Sequence, residues 1–222
     1  MNLFQGIFAI LIKDVQAELR SRYATNTVLA FVGSSLLLIL FTLNAEQLSA
    51  PTQSALVWII ILFAALSSLS RSFVMETDRR TFNLLRLHSR SLDVFVGKLC
   101  FNYLFTLLVN CATFMGYIFL LGLPVADVSA FLIILIVGTA GLSGVATMLG
   151  AVVSQADRKG TIFSVLSIPL LFPLILILAQ LTKAALIEGF TEEYMNDFLA
   201  LIGYTGSTIT AGILLFDYIW DE

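Results

Sequence analysis

His88 is the single imidazole of this chain, and Cys100 and Cys111 are its two thiols, so imidazole or thiolate chemistry has three residues to draw on. Their spacing does not bring them together. Cys100 and Cys111 lie eleven residues apart in one apolar run, about 16 Å of helical rise and too far for a disulfide. Two lone thiols and one imidazole match no metal-ligand spacing. The thiols are expected to be buried and to pack like small hydrophobes. His88 stands among arginines, where a solvated or partner-facing imidazole is expected. Lys159-Gly160-Thr161 reverses the Gly-Lys order of a phosphate-binding loop and lacks its upstream glycines. Inside the apolar runs the main polar residues are Asn102, Asn110 and Gln180, with hydroxyls such as Thr139 and Ser143. No Ser/His or paired-Asp arrangement at membrane depth supports an enzyme, and no polar stripe marks a pore. The expectation is a chain with no catalytic residue, no metal site and no cofactor of its own.

Composition explains this sparseness. The 222 residues are 59% hydrophobic, 12% charged and 12% aromatic, with 18 Phe. A soluble domain carries about 25% charged residues, and half that share leaves too little polar surface to cover a water-soluble fold. The net charge of −3 gives no sign of nucleic-acid binding, which would need a basic stripe. A polytopic, all-α membrane protein remains. It is expected to be a single transmembrane domain over 1–222, with any large catalytic module on another polypeptide.

Six uncharged apolar stretches are each long enough to cross about 30 Å of hydrocarbon. They lie near 26–44, 54–72, 99–121, 129–153, 161–181 and 198–217. The shortest joins are turn-like: Asn44-Ala45-Glu46-Gln47 with Pro51, and Gly122-Leu123-Pro124 with Asp127. Ahead of them, Phe4, Phe8, Leu11, Val15 and Leu19 form one helical stripe, with Lys13, Asp14, Gln16, Glu18 and Arg20 mostly off it. Residues 1–22 therefore read as an amphipathic interfacial helix, or as a water-exposed helix packed on protein. The run Leu3 to Ile12 is too short for a signal peptide and has no cleavage-site pattern after it.

Counting Lys and Arg orients the bundle. With the N-terminus inside, eleven basic residues face the cytoplasm and Lys183 alone faces out. Six spans then return the C-terminus to the cytoplasm. Trp58, Tyr103, Tyr204, Tyr218 and Trp220 fall toward span ends, where amphipathic rings favour the interface. Gly138, Gly141, Gly144 and Gly150 make the fourth span rich in small residues that let helices approach closely. Pro169 and Pro173 remove two backbone donors and should kink the fifth. Packing alone explains both features, and so does a moving bundle.

The segment 76–98, between the second and third spans, is the longest cytoplasmic stretch. Phe82, Leu85 and Leu87, flanked by Arg79, Arg80, Arg86 and Arg90, suit a short helix with an apolar docking face and a cationic rim. The other reading is an ordinary positive-inside loop that only fixes topology.

Glu76 followed by Thr81, then Leu84-Leu85 and Gly97-Lys98 entering a span, resembles the cytoplasmic loop of ABC-2-type exporter permeases. The whole chain resembles the heme exporter protein B (CcmB) family of cytochrome c maturation. Glu18-Leu19-Arg20-Ser21-Arg22 and Arg71-Ser72-Phe73 carry that resemblance, with Gly138-Thr139-Ala140-Gly141-Leu142 and Ile168-Pro169-Leu170-Leu171-Phe172-Pro173-Leu174. The chain departs from the family's usual loop, which has a Gly near Arg80, a Glu near Asn83 and a Pro near His88 or Ser89.

The resemblance implies a multi-pass subunit of the bacterial inner membrane, present in one or two copies. It would work with a CcmA-like ATPase, CcmC-like and CcmD-like membrane proteins and a CcmE-like heme chaperone. ATP would bind the ATPase, and heme would be cargo, either exported or released on the loaded chaperone. Glu76, Arg79, Arg80, Phe82, Leu85 and Arg86 would then meet the ATPase. The acidic outer segment, with Glu188, Glu192, Glu193 and Asp197, suits contact with a protein partner. An ABC-2-type exporter of a lipid-like or polysaccharide substrate is the alternative.

Overall fold

Where water is excluded, each backbone N–H and C=O must find its partner within the chain, and long apolar runs satisfy this as helices. The computed structural model describes residues 3–43, 48–69, 85, 89–154, 159–187 and 191–221, and among these it holds helices and no strand. We number the helices α1 (Leu3–Ser21), α2 (Tyr23–Thr42), α3 (Ala50–Leu69), α4 (Ser91–Leu121), α5 (Val128–Ser154), α6 (Lys159–Ile187) and α7 (Met195–Asp221). A one-turn 3₁₀ helix, Glu192–Tyr194, leads into α7.

Among the described residues, five stretches are long and apolar enough to cross a membrane: Tyr23–Thr42, Ser91–Leu121, Val128–Val153, Val165–Ile187 and Glu192–Trp220. Ala50–Leu66, within α3, is a shorter apolar stretch. α5 is the most enclosed of the five. It packs chiefly against α4, α6 and α7.

α4 starts at Ser91, eight residues ahead of the span expected at 99. Lys98, which looked like a charge outside the span, is only 1% exposed. Its Nζ lies 3.2 Å from Asp14 Oδ2, and this pairing lets the helix run on through the cation. At the other end Gly122 adopts the left-handed conformation (φ 64°) that commonly ends helices.

The main core joins α2 to α7 around Trp58, Phe114, Tyr117, Phe131, Leu142, Leu174 and Leu178. Trp58 is fully buried, donating its Nε1–H to Thr182 Oγ1 at 2.8 Å and meeting Phe114 edge-on with ring centres 5.7 Å apart. With that partner at hand, the indole needs no water to satisfy its one donor. Cys111 is not buried but exposed on the flank of α4, while Cys100 is half-buried. A membrane bundle turns apolar groups outward as readily as inward, so apolar character does not predict burial there.

α1 packs along α4, using Gly6 and Ile10 rather than its Phe4–Phe8–Leu19 stripe, which stays exposed. A Cβ added at Gly97 would stand 2.7 Å from Ile10 Cβ and 3.0 Å from the Ile7 carbonyl oxygen, so backbone and branched side chain leave no room. Gly97→Val is therefore expected to cost about 1–3 kcal/mol by overpacking and to loosen α1. Protease accessibility of α1 in the purified protein should rise. Gly33→Val is the control, because nothing lies within 4 Å of a Cβ there. Equal protease resistance in the two variants would show that the glycine contact does not hold α1.

Candidate functional site

The end of the bundle where α4 begins is built from four helices. Ile10 of α1, Val94 and Phe95 of α4, Ala151 of α5 and Phe216 of α7 form a separate apolar cluster, with Leu99, Ile213 and Trp220 against it. Phe95 and Phe216 lie 5.5 Å apart between ring centres, and Phe216 and Trp220 5.4 Å. The Phe95 ring occupies the place a side chain at Gly212 would need. Leu85 packs against this same cluster, and its carbonyl accepts the Ser89 N–H at 2.9 Å. Of the six residues expected to meet an ATPase, Leu85 is the described one. Glu76, Arg79, Arg80, Phe82 and Arg86 lie outside the described residues, as does His88.

The first turn of α4 is held from both sides. Ser91 Oγ donates to Asp217 Oδ1 at the end of α7. Asp93 is 3% exposed, and a Cβ on Gly6 of α1 would come within 2.5 Å of its Oδ2. A carboxylate in the first turn complements the positive end of the helix dipole. One turn further on, the Lys98–Asp14 pair closes the contact, with Lys13 Nζ also 3.1 Å from Asp14 Oδ1. A force applied at the start of α4 thus reaches α1 and α7 through direct contacts.

α1 turns into α2 through a single residue, Arg22, in the left-handed conformation (φ 50°). Glu18 makes this corner rigid. Its Oε1 accepts the Thr25 N–H at 2.8 Å and the Thr25 hydroxyl at 2.7 Å, taking up an otherwise unpaired donor in the first turn of α2.

On α5 the three glycines face two neighbours. Side chains at Gly138 would strike Leu178 of α6, at Gly141 Thr205 of α7 and Leu174 of α6, and at Gly144 Ile209 of α7. α6 continues through Pro169 and Pro173 without ending. Between the two prolines the Leu170 carbonyl accepts the Tyr204 hydroxyl of α7, which ties the weakened stretch to its neighbour. At the opposite end of the bundle, Asp127 Oδ1 accepts the Ala130 N–H at 3.0 Å and the Ser129 hydroxyl at 2.6 Å, capping α5. Glu192 and Glu193 are exposed on the 3₁₀ turn and Asp197 is half-buried in the first turn of α7, while Glu188 lies outside the described residues.

The sequence reading passed over Gly6, Asp93, Phe95 and Phe216, and set Asp14 only among the polar residues off the α1 stripe. That Gly6 and Asp14 mark a packing face needed the partner helix.

A family profile described as CcmB protein matches residues 5–216, nearly the whole chain. No curated protein and no solved structure matches it.

Proposed function

Since the chain belongs to the CcmB family, we propose that it is the membrane subunit of an ATP-driven complex for cytochrome c maturation. In this reading six helices, α2 to α7, cross the bacterial inner membrane, with both termini and the 76–90 segment in the cytoplasm. α1 lies along the inner surface, its exposed Phe4, Phe8 and Leu19 in the headgroup region. A separate ATPase subunit docks on Glu76, Arg79, Arg80, Phe82, Leu85 and Arg86. Hydrolysis there drives heme export or release of the heme-loaded chaperone, which meets Glu188, Glu192, Glu193 and Asp197 outside. CcmC-like and CcmD-like proteins complete the complex.

The observation that carries this reading is the seat of Leu85 on a cluster drawn from α1, α4, α5 and α7. A loop that only set topology would have no need to seat Leu85 on side chains of α1, α4, α5 and α7. Pushing or pulling the segment moves that cluster, and with it α4 and α7. α7 passes the motion along its length to Asp197 at the far end, and through Tyr204 to the proline-weakened middle of α6. In this reading the subunit transmits motion and ligates no heme: axial ligation takes His, Met, Cys or Tyr at the iron, the one His belongs to the docking segment, and Cys100 and Cys111 lie along α4, away from the acidic segment that would meet the chaperone.

The test uses the assembled complex with ATPase and chaperone. Leu85→Asp puts a carboxylate against the apolar cluster at a cost of several kcal/mol. Together with Arg79→Glu and Arg80→Glu it is expected to abolish ATPase stimulation and chaperone release while leaving membrane insertion intact. Full stimulation in a well-assembled triple variant would sink the coupling reading. A stoichiometric heme band in the isolated subunit, lost in His88→Ala, would sink the transmission-only role.

A further inference from the structure

α4 and α5 meet across a polar ladder deep in the bundle. Asn102 Nδ2 donates to Thr147 Oγ1 and Asn110 Nδ2 donates to Thr139 Oγ1, both at 2.8 Å. The helices are antiparallel, so the register that joins 102 to 147 and 110 to 139 sets Thr106 opposite Ser143. The α5 hydroxyls hand their own protons inward: Thr147 to the Ser143 carbonyl, Thr139 to the Leu135 carbonyl and Ser143 to the Ala140 carbonyl. Between the two rungs' residues on α4, three oxygens have no hydrogen-bond partner: Asn102 Oδ1, Thr106 Oγ1 and Asn110 Oδ1. Their residues are 1%, 3% and 0% exposed. Buried groups of this kind are nearly always satisfied, by protein or by ordered water.

The spacing identifies what satisfies them. Residues four apart on a helix are separated by about 6 Å of rise. One water between two oxygens, with each bond near about 2.8 Å, spans that gap. The three oxygens belong to neutral groups with no carboxylate among them, which disfavours a divalent cation. The Thr106 hydroxyl can donate as well as accept, as a water-bridged site requires.

We propose that the α4–α5 seam binds a short file of water molecules bridging Asn102 Oδ1, Thr106 Oγ1 and Asn110 Oδ1. Lys98, one turn before Asn102 on the same face of α4, continues the polar line toward the end where Leu85 sits. The seam is then a wet helix contact inside an otherwise apolar bundle. Protein–water bonds there exchange for protein–protein bonds at little cost, so α4 can shift against α5 more easily than α5 can against α6 or α7. The hydration stands on the seam's own geometry and holds whatever cargo the complex serves.

Radiolytic footprinting in H₂¹⁸O tests it, on the full chain in lipid nanodiscs. Bound water at the seam should place ¹⁸O on side chains beside it, such as Val109 and Ala146. Lipid-facing Leu104 and Leu108 of the same helix, which are half exposed on the bundle flank, should stay near background. Thr106→Val keeps the shape and removes the middle oxygen, and it should cut seam labelling several-fold. Seam labelling no higher than at Leu104 and Leu108 would overturn the proposal, and so would undiminished labelling in Thr106→Val. Should that variant fail to fold, the wild-type contrast between seam and flank decides alone.

Discussion

Lys98→Met is expected to lower the unfolding free energy by about 3–5 kcal/mol, the range for removing one partner of a buried ion pair. Lys98 is 1% exposed and the Asp14 side chain 11%, so the carboxylate left behind cannot recover full hydration. Lys13 remains beside it but is far more exposed, and its attraction is screened by solvent. The companion variant is Lys98→Met with Asp14→Leu. It removes both charges and fills the contact with apolar atoms, so it should recover most of the loss, since well-packed hydrophobes often match a buried pair. Equilibrium unfolding in mild detergent reads both. Loss in the single variant should also be nearly independent of salt, because buried pairs are screened far less than surface ones. A single variant as stable as the parent would show that the pair does not fasten α1 to α4. If the pair is part of the path from the docking segment, the single variant should also lose ATPase coupling before it loses assembly.

Trp58→Ala is expected to cost about 3–5 kcal/mol, the usual range for emptying a buried aromatic site. The indole fills the junction of α3, α4 and α6, against Phe114 and beside the place where a Gly138 side chain would reach. Its loss also strands the Thr182 hydroxyl, which is 1% exposed. Trp58→Phe separates the two effects. It keeps most of the ring volume and removes the hydrogen bond, so it should cost about 1–3 kcal/mol. Unfolding midpoints of the two variants measured side by side decide it. Should Trp58→Phe prove as damaging as Trp58→Ala, the hydrogen bond rather than packing would dominate this junction.

Much of the architecture follows from one-dimensional facts. A chain half as charged as a soluble domain must hide its backbone from lipid, and helices do that within each segment. The apolar runs therefore place most helix ends to within four residues, the start of α4 and the end of α6 excepted, and Gly122 and Pro124 mark the join after α4. Family membership was legible too, because short motifs in fixed order survive without any knowledge of contacts. The candidate docking segment was readable only as alternatives, since a cationic loop with an apolar stripe looks the same whether it fixes topology or carries force.

What the tertiary structure alone decided are the pairings between elements distant in the chain. Lys98 read as a boundary because a lone cation is costly inside a membrane. Asp14, 84 residues away, makes it an interior residue. The sequence shows no partner for the Trp58 N–H, and Thr182, 124 residues away, supplies one inside the core. Asn102 and Asn110 read as isolated polar residues, with no stripe in view. Only the antiparallel register of α4 against α5 aligns them with Thr147 and Thr139 into a ladder. In each case the free energy of a charged or polar group depends on whether a partner stands within about 3 Å. Periodicity along one helix says which face a residue occupies, and only packing says what that face meets.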